Sequence, residues 1–309
     1  MSALHIETPL LESRPISAGY SGTVWLKMEA MQPSGSFKAR GIGFACQKYV
    51  EEGAKRLVAS SGGNAGVAVA WAGRKLGVPV TVVVPQTTKR QAIEQIALEG
   101  AEVIVYGSVW DEAHQHALEL GGDDAAYLHP FDDANIWSGH STLVDEVIAD
   151  GVTPDAVVLS VGGGGLMCGV LEGLKRNGLA HVPVLAVETE GAASLAASAD
   201  AGQLTSLERI SSIATSLGAR QVAQRAFEWL DEANVSCHQV TDLAAIDGCE
   251  RFLEQHRVLV EPACGASLAA LYQHHPLLTD KQNILVVVCG GVGVTPLQLA
   301  EWRESLSCI

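Results

Sequence analysis

Apolar positions come in short runs of strand length, each followed by a longer stretch whose apolar residues recur at helical spacing. Leu57 to Ser60 leads into a predicted helix from about Ala65 to Leu76, Val80 to Val84 into one from about Thr88 to Leu98, and Val103 to Tyr106 into one from about Ser108 to Leu120. Gly77, Gly100 and Gly121 stand where these helices should stop. A second series opens after Pro130-Phe131-Asp132-Asp133, with a helix over Asn135 to Ala149, a strand over Ala156 to Val161, a helix from about Leu166 to Arg176 and a strand over Val182 to Glu188. A helix from about Leu243 to His256 and the very apolar Ile284 to Val288 come later. Upstream, a strand over Thr23 to Met28 turns into a helix near Lys38. Successive strand-helix units predict the α/β class with parallel sheets. Two chain crossings near Gln32 and Asn135 would give a small domain of residues 32–135 and a large one of 1–31 plus 136–309, with a site expected in the cleft between them.

Composition narrows the function. The 309 residues are enough for roughly two domains, and no apolar run approaches the roughly 18 positions a membrane helix needs. Lys and Arg number 20 against 35 for Asp and Glu, a net charge of 20 minus 35, or -15, with no basic run to track phosphates. Neither a membrane nor a nucleic acid is therefore an expected partner. The seven cysteines, Cys46, Cys168, Cys237, Cys249, Cys264, Cys289 and Cys308, are odd in number and never form a Cys-x-x-Cys pair. That usage fits free thiols in a reducing cytoplasm. Met1 to Pro9 lacks the basic start and apolar core of a signal peptide. His114 and His116 point to different sides of a helix and His274 and His275 are adjacent, so the ten histidines predict no catalytic metal.

Four loops carry candidate chemistry. Pro33-Ser34-Gly35-Ser36-Phe37-Lys38-Ala39-Arg40-Gly41 sets one lysine behind an aromatic ring where a strand becomes a helix. Lys38 reads as the attachment point of pyridoxal phosphate, since a lysine so placed can lose its proton and join an aldehyde; Phe37 would lie against the pyridine ring. A solvated lysine in a polar turn is the alternative. Ser60-Ser61-Gly62-Gly63-Asn64-Ala65-Gly66 offers backbone N–H groups and a helix N-terminus to a carboxylate, unless it is an ordinary turn with Asn64 as the cap. Ser160-Val161-Gly162-Gly163-Gly164-Gly165 fits a phosphate cup, and as mere structure its four glycines would cost several times ~1 kcal/mol in chain entropy. Cys289 in Val288-Cys289-Gly290-Gly291 ends the most hydrophobic strand, where ligand contacts emerge from a parallel sheet, or is simply core.

With Val260-Glu261-Pro262-Ala263-Cys264-Gly265-Ala266 added, these motifs in this order resemble the L-serine dehydratase/L-threonine deaminase group of the tryptophan-synthase-β type, fold type II, pyridoxal-phosphate enzymes, most closely the short animal-type members. The resemblance runs almost end to end. It implies two parallel-sheet α/β domains with the cofactor in the cleft between them, a cytoplasmic homodimer and a small amino-acid substrate. Lys38 would be the catalytic Schiff-base lysine, Phe37 the stacking residue and Asn64 the donor to the cofactor hydroxyl, with Ser61, Gly62 and Asn64 at the substrate. Gly162, Gly163, Gly164 and Gly165 would bind the phosphate, Ser216 would touch the cofactor and Cys289 would meet the ring nitrogen. A monovalent cation, K+, would sit at Glu188, Ala192, Ser194 and Leu217, although Glu188 reads equally as a surface residue.

Gly62 replaces an alanine common in close relatives and is expected to widen the site; Gly290-Gly291-Val292-Gly293-Val294 loses polar side chains common there. The implied reaction is elimination, serine to pyruvate and ammonia and threonine to 2-oxobutyrate and ammonia, with Lys38 as base. The choice between them turns on space for one methyl, worth about 1 to 3 kcal/mol. Alternatives are a racemase, which would need an acid–base side chain where Gly62 stands, or a phenylserine or hydroxyaspartate dehydratase. About 18 residues follow Gly291, so no regulatory domain and no branched-chain amino-acid control are expected within this chain.

Overall fold

A computed structural model describes residues 2–122 and 124–307; Met1 of the amino-terminal stretch and Cys308 lie outside the described residues. The strands are β1 (Leu10–Glu12), β2 (Thr23–Lys27), β3 (Arg56–Ala59), β4 (Val80–Val84), β5 (Glu102–Val105), β6 (Ala125–Leu128), β7 (Ala156–Ser160), β8 (Val184–Thr189), β9 (Val235–Val240) and β10 (Asn283–Val287). They form two sheets in two compact units, Met1–Ile6 with Gln32–His140, and Glu7–Met31 with Ser141–Ile309. Residues 2–6 fall in the smaller unit, not the larger one expected. Gln32 clamps this stretch, its side chain accepting from the Ile6 N–H (3.1 Å) and donating to the Ile6 carbonyl (2.9 Å), and Gln47 donates to the Ser2 carbonyl (2.8 Å). The second boundary falls after His140, inside the helix Ala134–Ala149 and a few residues later than expected.

The smaller unit holds an all-parallel sheet in the order β5-β4-β3-β6. Val58 and Val83 on its middle strands bury against Ala113 and Ala117 of the helix Trp110–Glu119. Its other helices, Lys38–Glu51, Asn64–Leu76 and Arg90–Leu98, follow the expected strand-helix rhythm. Gly77 closes Asn64–Leu76 at φ 70°, a left-handed turn that costs glycine nothing.

The larger unit holds the order β1-β2-β10-β7-β8-β9, parallel except for the short outer strand β1. Every residue of β7 and β8 is buried, and apart from Ser160, Glu188 and Thr189 at their ends these strands read as apolar runs without alternation, as parallel strands covered on both faces do. β8 starts at Val184, two residues later than predicted, since Pro183 has no N–H to give a ladder. Its helices are Arg14–Ser17, Gly165–Arg176, Ser194–Ala201, Gln224–Glu232, Asp242–His256, Pro262–Tyr272 and Pro296–Ser307. Asp242–His256 and Pro262–Tyr272 approach closely at two glycines: a Cβ on Gly248 would lie 2.3 Å from the Gly265 carbonyl, and one on Gly265 2.1 Å from the Ala245 carbonyl. Lys27, buried, pairs with Glu146 at 2.6 Å and donates to the Thr8 carbonyl at 2.7 Å. Among the described residues no helix is long and apolar enough to cross a membrane.

Candidate active site

In the smaller unit Lys38 is the first residue of its helix, half-buried, behind a turn through Ser34 and Gly35. Its Nζ donates to the Pro130 carbonyl at 2.5 Å and lies 5.0 Å from the centroid of the Phe37 ring. Lys38 is thus only partly exposed, with its amine hydrogen-bonded to the backbone. Phe37 packs in turn on His140, ring centroids 5.0 Å apart. Burial first, then the charges of Lys38 and Arg40, push the His140 imidazole well below its ordinary range, so it is neutral. The Ser34 and Ser36 hydroxyls and both His140 ring nitrogens are buried without a hydrogen-bond partner. Orphaned polar atoms in such density are uncommon and mark a place for a polar guest.

The carboxylate-loop residues follow β3 directly. Ser61 is half-buried and its hydroxyl accepts from the Gly63 N–H at 3.3 Å. Asn64, buried, is the first helical residue; Gly63, not Asn64, takes the cap position, so the side chain of Asn64 is not spent as a cap. The expected widening at Gly62 is not found. A Cβ there would lie 2.6 Å from Cγ2 and 3.0 Å from Oγ1 of Thr88, so the threonine already fills the place of the missing methyl. Thr88 follows Pro85, whose carbonyl accepts its N–H at 3.0 Å, in the turn after β4.

Behind this loop lies a cluster that spacing did not reveal. Ser60 Oγ and Tyr127 OH are 2.7 Å apart, Tyr127 OH meets His114 Nδ1 at 2.7 Å, and the Trp110 indole donates to the Ser60 carbonyl at 2.6 Å. Burial pushes the Tyr127 phenol up to about 12. His129 stands beside them, its Nδ1 accepting from the Asp132 N–H at 2.7 Å and the Phe131 N–H at 3.3 Å.

The larger unit carries the remaining predicted residues. After β7, Gly162 and Gly163 are half-buried and Gly164 and Gly165 buried, ahead of the helix Gly165–Arg176. Gly164 has φ 88°, and a Cβ on it would lie 2.3 Å from that of Ala226. One on Gly162 would lie 3.0 Å from the Ser216 carbonyl and 3.1 Å from Leu217 Cα, which brings the loop against exposed Ser216. The result is a loop of bare backbone that leaves no room for side chains at Gly162 and Gly164.

Glu188 at the end of β8 is buried, so the surface reading is wrong. Its two oxygens accept from the Leu195 and Ala196 N–H groups, each at 2.8 Å, and burial still pushes the carboxyl up to about 7. Ala192, Ser194 and Leu217 are buried, and the Ser194 hydroxyl has no hydrogen-bond partner. Cys289 is buried two residues past β10. A hydrogen bond with Cys264 and then burial hold its thiol well above the ordinary range, so it is neutral. Cys264, from the apolar helix Pro262–Tyr272, was visible in the sequence only as part of a motif.

The pattern that defines the family of pyridoxal-phosphate dependent enzymes matches residues 1–290 of this chain. The chain belongs to that family. It is similar to an L-serine dehydratase of Dictyostelium discoideum, 44% identical over 98% of this chain and 93% of the relative, and to the human L-serine dehydratase/L-threonine deaminase, 43% identical over 98% and 96%. Among solved structures, a fungal L-serine ammonia-lyase from Rhizomucor miehei superposes with a TM-score of 0.92 at 36% identity, over 98% of this chain and 99% of that one. The family's cofactor is compatible with what this chain presents: an amine beside a half-buried ring, orphaned serine hydroxyls in the same loop, and in the larger unit a glycine loop of bare backbone.

Proposed function

We propose that this chain is a pyridoxal-phosphate-dependent dehydratase that converts L-serine to pyruvate and ammonia and L-threonine to 2-oxobutyrate and ammonia. The observation that carries this reading is the Lys38 amine, held between the Phe37 ring and the Pro130 carbonyl, in a chain 43 to 44% identical to proteins so named over nearly its whole length. When bound, pyridoxal phosphate supplies an electron sink for the charge that develops at the substrate α-carbon. Lys38 would attach it and, released by the substrate amine, take the α-proton at Nζ. Phe37 would cover one face of the pyridine ring. Ser61, the N–H groups at Gly62 and Gly63 and the helix that opens at Asn64 suit a substrate carboxylate, with the Asn64 amide toward the cofactor hydroxyl. The N–H groups of Gly162, Gly163, Gly164 and Gly165, with Ser216, would hold the phosphate, and Cys289 as a neutral thiol would meet the ring nitrogen without forcing a proton onto it.

A racemase of this fold has less support, because Gly62 offers no acid–base group; the hydroxyl beside it belongs to Thr88. Gly62 opens no extra space for the bulkier phenylserine or hydroxyaspartate, because the same threonine fills the place of the missing methyl. For a K+ ion at Glu188, Ala192, Ser194 and Leu217, the buried carboxylate and the orphaned Ser194 hydroxyl speak in favour, while the two N–H groups on Glu188 compete for its oxygens. A cytoplasmic location is supported by six free thiols among the described residues, and a homodimer rests on the family resemblance alone.

The test is reconstitution with pyridoxal phosphate. A visible absorbance band that is absent in Lys38→Ala, with pyruvate or 2-oxobutyrate and equal ammonia released only by the wild type, is the expected result. Wild-type protein without the band, or serine that merely changes hand, would sink the reading.

A further inference from the structure

We infer that His129 is a positioning residue for Lys38, acting through the turn Pro130–Asp132, and that the turn uses an uncharged acceptor so that Lys38 keeps its ability to give up a proton. The inference rests on Lys38 being the attachment lysine. The hydrogen bond from Lys38 Nζ ends on the Pro130 carbonyl, so the bearing of that peptide plane helps to set where the amine stands. Every neighbour of the plane is fixed. Proline locks φ at its own position; the next two N–H groups, of Phe131 and Asp132, both point to His129 Nδ1; and the Phe131 carbonyl takes the Trp137 indole N–H at 2.8 Å. One residue further, Asp133 accepts from the Asn135 N–H at 2.8 Å and the Tyr49 hydroxyl at 2.5 Å. The turn is thus tied on both sides of Pro130, and its upstream tie is one imidazole nitrogen.

An atom that accepts two N–H groups cannot itself carry a proton. The surroundings enforce that state: the Phe131 ring meets the imidazole edge-on at 4.6 Å, and the rings of Trp110, His114 and Tyr127 stand around it. Burial, followed by the His114 and Lys38 charges, lowers the imidazole to about 4. The charged or titratable groups about it are Lys38 on its helix, His114 on Trp110–Glu119, Tyr127 on β6, and Asp132 and Asp133 in the turn itself. Position one of such a turn usually carries Asp or Asn, whose oxygen reaches the same two N–H groups. Aspartate would bring a negative charge to the lysine and hold it as ammonium. A neutral histidine gives the same turn without that charge.

The experiment follows the pH profile with which the full-length protein takes up pyridoxal phosphate at Lys38, trapped by borohydride and located by mass spectrometry. His129→Asn keeps an uncharged acceptor and should match the wild-type profile. His129→Asp keeps the acceptor and adds charge, so its profile should move to higher pH by about one pH unit. His129→Phe keeps the ring and loses the acceptor, and should label about tenfold more slowly, the factor for one hydrogen bond near 1.4 kcal/mol. An unshifted profile in His129→Asp, or wild-type labelling in His129→Phe, would overturn the role of His129 while leaving Lys38 as the attachment site. Wild-type protein that labels elsewhere than Lys38 would overturn both. Should His129→Phe fail to fold, the Asn and Asp variants still decide.

Discussion

Two glycine loops in this chain look alike and are built on different terms. Each follows a parallel strand, β3 or β7, and each opens a helix, Asn64–Leu76 or Gly165–Arg176. In the first, the space that a Cβ at Gly62 would take is held by the side chain of Thr88. In the second, the atoms facing Gly162 are backbone, and Gly164 combines a left-handed φ with a fixed neighbour, Ala226 Cβ. A threonine can rotate or be replaced, whereas a peptide plane and a β-carbon cannot without moving a helix. The loop assigned to the substrate is therefore adjustable by single substitutions, and the loop assigned to the phosphate is not.

Gly164→Ala should have the largest effect of the substitutions that test this contrast. Left-handed strain and overpacking together predict a loss of about 3 kcal/mol of stability, with weakened retention of pyridoxal phosphate. Thermal melting of the reconstituted protein checks it, and an unchanged melting temperature would show that the cradle can give. Gly62→Ala should cost less, about 1 to 2 kcal/mol in kcat/KM for serine, and Gly62→Ala/Thr88→Ser should recover most of it by moving one methyl from position 88 to position 62. Strict additivity of the two single effects would dissolve the pairing. The smallest effect belongs to Gly77→Ala, which has a φ of 70° and nothing within 4 Å. It isolates the conformational part, about 1 kcal/mol by denaturant unfolding with kcat unchanged; a loss as large as that at Gly164 would mean that packing adds nothing in the cradle.

Most strands that periodicity predicted are central ones buried on both faces, although β5, at the edge of its sheet, was predicted too. The missed strands are short or peripheral. β1 and β6 have three and four residues, and β9 carries Cys237, His238 and Gln239 on a mostly half-buried outer strand. Loop chemistry was legible where it needs a residue type no other can replace, as with Lys38 and the glycines of the cup. Thr88, His129 and Cys264 were not legible as site residues. Thr88 acts by occupying space against a glycine 26 positions away, His129 by accepting backbone N–H groups, and Cys264 through another thiol. None of these roles leaves a pattern in the order of residues. The same limit produced the wrong expectation at Gly62: a missing methyl can be counted from the sequence, but the neighbour that fills its place cannot.

The helix Pro262–Tyr272 is buried from Pro262 through Leu271 and has no wet face on which substitutions could accumulate silently. Its glycine meets the neighbouring helix backbone to backbone, so bulk added at Gly265 strikes the Ala245 carbonyl before it reaches any ligand. A segment hemmed in on all sides tolerates few substitutions for mechanical reasons. Val260-Glu261-Pro262-Ala263-Cys264-Gly265-Ala266, which reads like an active-site signature, is then largely a record of how two helices interlock. A designer altering this chain's chemistry should leave the stretch alone and work at Thr88, where the architecture still has slack.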